Sequence, residues 1–470
     1  MLLYNTLSKK KEEFIPLHTG KVGLYVCGPT VYDSIHIGNI RAYVFADTLR
    51  RVLEDIGYEV RMIKNITDVG HLTADDIAQG DSGEDKIAKK AEKEHKTPEE
   101  IAQFYEEYAL TTEKAMNIEP AHYFPRATAH ISQMIKLIEA LIERGHAYEK
   151  NGNIFLDVTT FPDYGKLSGN TLTSLQVGAR LEAHPDKKNP WDFALWLKAP
   201  AGHLMHWPSP WSEGYPGWHI ECSAMSMEYL GDTFDIHTGG EDNIFPHHEA
   251  EIIQSEGVTG KPFVRYWMHT RHMMIDGAKM SKSKKNFYIL EDLLAKGYTP
   301  MDFRTLLISA HYRSQMNFTW ESLEQAKKNK EVFFALMNRL VTIPKEEFDS
   351  NGFDGTETLE EIREVVQDDL NTPQALALAL ELVKKINTLL DKGEKINIIV
   401  LRSTLEKIFF LFGLVPENVI IPDEIESLAK AREGARENKD FSESDRLRDE
   451  IARHGYKVED TASGYRLKKL

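Results

Sequence analysis

The stretch from Lys21 to Ile66 constrains this chain more than any other. Val22, Leu24 and Val26 alternate with other residues and predict a strand that ends at the turn Cys27-Gly28-Pro29. From Asn39, apolar residues recur every third or fourth position (Ile40, Tyr43, Val44, Leu49, Val52, Leu53, Ile56), which is helical spacing, and Gly57 is the natural stop. Tyr58 to Ile66 carries Val60, Met62, Ile63 and Ile66 and reads as a buried strand. Strand, helix and strand in succession predict two parallel neighbours joined by a right-handed crossover. The pattern returns later: Phe234 to His237 as a strand, a break at Gly239-Gly240, a helix from about Pro246, then a strand from Phe263 to His269. The expected fold class is therefore α/β, with a Rossmann-type parallel sheet built in two halves.

Between the halves, residues 118–215 do not continue the alternation and include the Pro- and Trp-rich stretch Trp207-Pro-Ser-Pro-Trp211. They are expected to form a connective insertion, leaving 1–117 and 216–310 as the sheet domain. After about residue 290 the β signals nearly vanish, and charged, helically periodic segments such as Leu370 to Leu390 follow. A linker over 311–330, an α-helical bundle over 331–420 and a small mixed domain over 421–470 are predicted. The last combines a helix pair from about Glu424 with strands at Tyr456 and Gly464. The length of 470 residues, with 41% apolar and 28% charged, suits several folded domains and excludes wholesale disorder.

A formal charge of −16 excludes a protein that coats nucleic acid by bulk positive charge, though it permits local basic patches. Two cysteines, Cys27 and Cys222, exclude an extracellular disulfide framework and fit a reducing compartment. The first residues carry no apolar core of signal-peptide length, and no run of about eighteen apolar residues appears, so no membrane partner and a cytoplasmic location are expected.

Three elements carry chemistry. The segment Gly28 to Asn39 links the first strand to its helix, where open α/β sheets bind nucleotides and a helix N-terminus favours phosphate. There His36 can donate to a phosphate and Gly38 leaves room for a ligand to approach the backbone; the plainer reading is a turn histidine with Asn39 as the helix cap. The second element is Lys279-Met-Ser-Lys282-Ser283-Lys284-Lys285. From Arg271 to Tyr288 there are five basic residues against one acidic, which suits a polyphosphate, although a solvated surface run explains it too.

The third is Pro246-His247-His248-Glu249-Ala250-Glu251. With Pro in the first helical turn, His247 and Glu251 project from one face. Together with Cys27 and Cys222 they offer sulfur, nitrogen and oxygen to a borderline-soft metal such as Zn²⁺. Buried free thiols and a capping helix are the commoner explanation of such spacing, and His248 is an alternative ligand. Gly217-Trp218-His219-Ile-Glu221-Cys222 sets an aromatic beside one of these thiols. Gly240-Glu-Asp242, past the strand bearing His237, is placed for ribose hydroxyls or for a helix cap.

Taken together these residues resemble the class I aminoacyl-tRNA synthetases, and among them the cysteinyl-tRNA synthetase family. The resemblance joins His36-Ile-Gly38-Asn39, Lys279-Met-Ser-Lys-Ser283, Gly217 to Met225, Phe234-Asp-Ile-His237, Phe245 to Glu251, Asp369-Leu-Asn-Thr-Pro373 and the region from Ala431 to Lys469. It implies activation of L-cysteine with ATP and Mg²⁺, then transfer to the 3′ end of tRNA(Cys) by a cytoplasmic monomer. It implies one zinc ion per chain on Cys27, Cys222, His247 and Glu251, which binds the substrate thiolate. It further implies that His36 and Asn39 meet ATP phosphates and that Gly240 and Asp242 hold the nucleotide. Lys282, assisted by Lys279, would serve the leaving pyrophosphate, and Trp218 and His237 would shape the cysteine pocket.

Sulfur on zinc separates cysteine from serine well: about four decades of discrimination equal roughly 5.5 kcal/mol, more than the ~1–3 kcal/mol that packing against one methylene-sized difference supplies. Two departures stand out. Asn39 replaces a second histidine common in class I enzymes, and the segment 68–86, with His71, differs from the shorter acidic turn of other members. Two rival readings compete: a cysteine ligase acting on a small-molecule amine, which has little use for residues 330–470, and a non-catalytic zinc and RNA-binding paralogue, which has little use for His36, Lys279 and Lys282.

Overall fold

The computed structural model describes residues 1–69, 72–74, 82–172, 184–281, 286–343, 348–415, 423–461 and 464–469. The chain divides into two compact units, Met1–Val415 and Pro416–Leu470.

The first unit is organised by a parallel sheet. Strand β1 (Lys21–Val26) leads through the turn at Gly28 into helix α1 (Ile37–Asp55) and strand β2 (Glu59–Lys64). Helix α2 (Trp218–Leu230), strand β3 (Phe234–Gly240), helix α3 (Glu249–Thr259) and strand β4 (Val264–Thr270) complete it. The strand order is β2-β1-β3-β4, all parallel, with Leu24 opposite both Met62 and Ile236 and His237 opposite Trp267. Chain order reverses direction between β1 and β3, so the crevice at their C-terminal ends is the place where such sheets take ligands.

Both faces of β1 are covered. Val22, Leu24 and Val26 pack with α1, whereas Tyr25 joins Cys222, Phe234, Ile252 and Trp267 on the other face. Helix α1 starts where His36 accepts backbone N–H groups of Gly38 and Asn39 while the Asn39 side chain accepts from His36. The cap is thus His36, and Asn39 is its reciprocal partner three residues on, which corrects the reading of Asn39 as cap. Gly57, at φ +99°, follows the helix end as expected.

Several expectations need correction. The strand from Phe234 does not break at Gly239-Gly240 but includes both, because each still pairs with β4. No regular helix begins at Pro246: Phe245 is extended at φ −140°, ψ 130°, as the residue before proline prefers, Ile244–His248 form a π-type turn, and α3 proper starts at Glu249. Residues 118–215 are also more regular than expected. Strands Ala147–Lys150, Asn153–Leu156, Phe193–Lys198 and Gly214–Pro216 form an antiparallel sheet. Phe193 to Leu197 is buried throughout, so the period-two signal that would have revealed a strand is missing. Beyond residue 290, Met316–Phe318 forms a short strand parallel to strand β5 (Met273–Ile275), which also pairs with strand β6 (Ala278–Lys279).

The remaining helices of this unit include Trp320–Val341, Thr356–Gln367, Thr372–Asp391 and Ile398–Phe412. Their apolar faces share one core with α1 and β1, from Leu24 and Leu49 through Phe303 and Phe333 to Leu401 and Phe412. A buried charge cluster lies at this junction. Asp47 receives Arg51 Nε at 2.8 Å, the Arg304 guanidinium and the Glu119 N–H at 2.8 Å, while Arg304 Nε donates to the carbonyl of Phe412 at 2.7 Å. The second unit pairs helices Asp423–Glu437 and Phe441–Arg453 with an antiparallel hairpin, Tyr456–Thr461 and Gly464–Lys469, as the sequence predicts. Among the described residues no helix is long and apolar enough to cross a membrane.

Candidate active site

A cavity of about 570 Å³ opens at the C-terminal ends of β1 and β3, and its walls come from every crossover of the sheet. Gly28, His36, Gly38 and Asn39 supply one side, Trp218, Cys222 and His247 another, and Gly240, Asp242 and Lys279 the rim.

The His36 ring is fixed by its own helix. Nδ1 accepts the N–H groups of Gly38 and Asn39 at 3.1 and 3.2 Å, so in the neutral ring the proton resides on Nε2. Asn39 Oδ1 accepts the His36 N–H at 3.0 Å, which leaves the amide NH₂ as a donor beside that imidazole. The α1 dipole adds positive potential at the same place. Gly38 does not leave the open space expected of it. A Cβ there would stand 2.9 Å from His36 Cε1 and 3.1 Å from Met280 Cε, so its lack of a side chain makes room for the capping ring itself.

The sequence does not single out Asn65 and Thr67, and it marks Gly28 only as part of a turn. A Cβ at Gly28 would fall 1.6 Å from the Asn65 carbonyl oxygen, and its N–H donates to Asn65 Oδ1 at 2.8 Å. Asn65 in turn donates to Thr67, and Thr67 to the buried Glu221 carboxylate, each at 3.0 Å. A signal for them exists: Asn65 and Thr67 sit just past the C-terminal end of β2, where ligand-facing residues of such sheets collect. Asp242 is exposed in a short turn after β3, and Lys279 ends β6. Lys282, Ser283, Lys284 and Lys285 lie outside the described residues, as does His71.

At the base of the cavity the four predicted metal ligands converge. One ligand atom from each of Cys27, Cys222, His247 and Glu251 lies within 4.8 Å of the others. Cys27 follows β1, Cys222 comes from α2, His247 from the π-type turn and Glu251 from the first turn of α3. His247 Nε2 is 3.1 Å from Glu251 Oε1 and 3.4 Å from Cys222 Sγ. Its Nδ1 is 2.9 Å from His219 Nδ1, so the outer face of the ring is held and Nε2 is presented inward. Trp218 lies over the same ring, with centroids 4.6 Å apart.

In a second group, Cys27, His237, His248 and Glu251, one ligand atom from each also lies within 4.8 Å of the others. Of its members only Cys27 lines the cavity, whereas Cys27, Cys222 and His247 of the first group all do, so the cavity opens onto the first. His248 instead bridges from Cys27 Sγ at 3.1 Å to His269 at 2.7 Å. His237, expected in the cysteine pocket, is not on the cavity wall. It is fully buried behind Glu251, with Nε2 3.0 Å from Oε2, because its position in β3 turns it toward α3.

The electrostatics fit a cation. Burial alone pushes the Glu251 carboxyl far above the usual carboxylate range, and its Oε1 has no hydrogen bond of good geometry. Burial pushes the His237 and His269 imidazoles down to about 3. The hydrogen bond with Cys27, then burial, raises the Cys222 thiol; at Cys27 the bond with Cys222 lowers it, but burial and Glu251 prevail and the net shift is upward. A buried carboxylate, two thiols and an imidazole form a donor set that Zn²⁺ accepts.

Residues 13–328 match the family model of the class I (C) tRNA synthetase catalytic domain, residues 361–416 the DALR domain, and residues 420–465 the cysteinyl-tRNA ligase anticodon binding domain. The cysteine–tRNA ligase of Chlorobaculum tepidum is 44% identical over 488 residues, covering 98% of this chain and 97% of that protein. The cysteine–tRNA ligase of a Thermus thermophilus strain is 42% identical over 485 residues, covering 99% and 98%. Among solved structures, the methionyl-tRNA synthetase of Mycobacterium tuberculosis in complex with methionyl-adenylate superposes with a TM-score of 0.57 at 12% identity, over 84% of this chain and 89% of that one, a likeness of fold.

Proposed function

The chain belongs to the cysteine–tRNA ligases of the class I aminoacyl-tRNA synthetase family, and from that premise we propose how its residues divide the reaction. The carboxylate of L-cysteine attacks the α-phosphorus of ATP and pyrophosphate leaves, giving cysteinyl-adenylate; a hydroxyl at the 3′ end of tRNA(Cys) then attacks its carbonyl carbon, and AMP leaves as the ester forms. Neither step requires a side-chain nucleophile; orientation and charge stabilisation suffice.

His36 and Asn39 bind the phosphates. The capping bonds lock the His36 tautomer with Nε2–H outward, and the Asn39 amide supplies the second donor, which is why an amide can replace a second histidine here. Asp242 accepts from the ribose hydroxyls at the rim beside Gly240. Lys279, and Lys282 from its place in the sequence motif, follow the charge that accumulates on the departing pyrophosphate. Trp218 closes the pocket over His247.

A zinc ion held by Cys27, Cys222, His247 and Glu251 would act as a Lewis acid that takes the substrate's sulfur as thiolate and leaves the harder, more basic serine hydroxyl unbound. His219 orients the imidazole ligand, and His237 orients the carboxylate. Residues 421–470 read the anticodon, a reading supported by the family match over 420–465, and the protein acts as a cytoplasmic monomer.

The observation that carries this reading is the meeting of two thiols, an imidazole and a carboxylate at the floor of a cavity whose mouth is a helix N-terminus. It is tested by aminoacylation of total tRNA with radiolabelled cysteine or serine, alongside a metal assay of the purified protein. One zinc per chain and charging with cysteine alone are expected. Cysteine charging at full rate by zinc-free protein would refute the metal's role.

A further inference from the structure

Arg41 is a buried cation that the reaction scheme leaves unused. It stands on α1 five residues past the capping His36 and is 3% exposed. Among the described residues its hydrogen bonds all go to backbone carbonyls. Nη1 donates to those of Arg271 and His272 at 2.7 and 2.9 Å, and Nη2 to those of Ser314, His311 and Tyr312 at 2.6, 3.3 and 3.5 Å. Burial pushes the guanidinium down to about 10, against the charge of Glu241, so it remains a cation at neutral pH. Burying a charge is costly, and an apolar side chain would fill the space without that cost. What a guanidinium adds is a planar fork that holds two chain segments at once.

The two segments differ in what lies beyond them. Residues 311–314 are a fixed abutment: the Tyr312 ring stacks on Phe45 of α1 at 4.3 Å, its hydroxyl donates to the buried Asp369 carboxylate at 2.6 Å, and Arg313 Nε donates to the same carboxylate at 2.7 Å. Arg271 and His272 instead lie on the cavity wall and join the end of β4 to β5, whose hairpin partner β6 ends in Lys279. From the other side Glu241 grips this link, with Oε1 accepting the His272 N–H at 2.6 Å and Oε2 2.9 Å from Arg271 Nε.

We propose that Arg41 is a positioning residue for adenylate formation: it fastens the root of the β5–β6 hairpin to the helix that carries His36 and Asn39, and so sets Lys279 at its distance from the phosphate donors. The inference rests on the roles proposed above for His36, Asn39 and Lys279. Five residues of helix rise about 7.5 Å as a rigid rod, so clamp and phosphate donors move together. The hairpin itself pairs only Met274 with Lys279 and Ile275 with Ala278, too little to fix its own direction, and its root must do so. Stabilising a departing pyrophosphate depends on a cation already in place, and a displacement of ~1 Å costs about 10²-fold.

The test uses Arg41→Met, which loses charge and fork, and Arg41→Lys, which keeps the charge and loses the fork; the second decides the matter if the first does not fold. Cysteine-dependent ATP–pyrophosphate exchange gives kcat and the KM for ATP, and transfer of cysteine from preformed adenylate to tRNA is timed in single turnovers. The expected result is an exchange kcat lower by about 10²-fold in Arg41→Met and about tenfold in Arg41→Lys, with the KM for ATP and the transfer rate unchanged. Arg41→Met combined with Lys279→Ala should be no slower than the slower single variant, since both remove the same contribution. Wild-type exchange in both Arg41 variants would overturn the proposal, as would a rise in KM alone, effects of Arg41 and Lys279 that multiply, or equal slowing of exchange and transfer, which marks a loss of structure. Wild-type exchange by Lys279→Ala would instead overturn the role of Lys279 on which the proposal stands.

Discussion

Asp47 offers the most quantitative test of how the first unit is held together. Its carboxylate is fully buried between Arg51 and the fully buried Arg304, and it also accepts the Glu119 N–H. Asp47→Asn preserves the shape but leaves two buried guanidiniums without their shared counter-charge, a loss of about 3–5 kcal/mol. The unit Met1–Val415 gains about 2.1 cal/mol/K of entropy per residue on unfolding, so about 4 kcal/mol lowers its melting midpoint by roughly 4–5 °C. The effect depends on pH with a definite sign. Burial raises the Asp47 pKa, but Arg304 and then Arg51 outweigh it, so the folded value lies below the ordinary one. The stabilisation is therefore fully present above the unfolded carboxylate value of about 3.9 and lost as pH falls through the folded value. Calorimetric melts of both proteins, at neutral pH and through the acid range, should show a gap that narrows only below pH ~4. A loss under about 1 kcal/mol, or a gap that ignores pH, would refute the reasoning.

Cys222→Ala should abolish zinc retention and cysteine-dependent pyrophosphate exchange while circular dichroism remains native; undiminished exchange would remove this thiol from the site. His36→Ala should cost about 1 kcal/mol of stability through the lost cap and, separately, slow adenylate formation by about 10²-fold, read from unfolding curves and single-turnover assays respectively. Gly28→Ala should yield misfolded or inactive protein, because its Cβ would lie 1.6 Å from a backbone carbonyl oxygen, and a soluble variant with wild-type turnover would contradict the packing described. Glu249→Ala should destabilise the protein by about 1–3 kcal/mol, since this buried carboxylate accepts the N–H groups of Gly165 and Ser168 at 3.0 and 2.8 Å, and urea titration measures it.

What the sequence made legible follows from locality. The strand–turn–helix at Cys27 to Asn39 and the two strand–helix–strand halves rest on short-range periodicity, and they appear in the structure close to where the pattern put them. The convergence of Cys27, Cys222, His247 and Glu251 was legible because donor chemistry is scarce: with only two cysteines in the chain, few donor sets were available. Partnerships between distant segments were not legible. Nothing in the sequence near Arg304 announces Asp47 or the Phe412 carbonyl, and Tyr25 reads as one more apolar residue of a strand until its face is known. The antiparallel sheet within 118–215 was hidden because its strand at Phe193 is buried on both sides, and the start of α3 was misplaced because Phe245 is extended ahead of Pro246.

Helix α1 is gripped at both extremities. At one end His36 is tied to its first turn; at the other, Arg363 of helix Thr356–Gln367 forks onto Asp55 at 2.8 and 2.9 Å, and the core runs unbroken from α1 to Phe412. This arrangement works like a tiller. Any tilt of the 356–412 helices would be delivered along nineteen residues of rigid rod to the imidazole on the cavity wall, with no need to deform the sheet. It also means that the sheet-bearing half has no clean point of excision: a fragment ended before residue 356 would lay bare Leu49, Leu53 and their neighbours and lose the brace on Asp55.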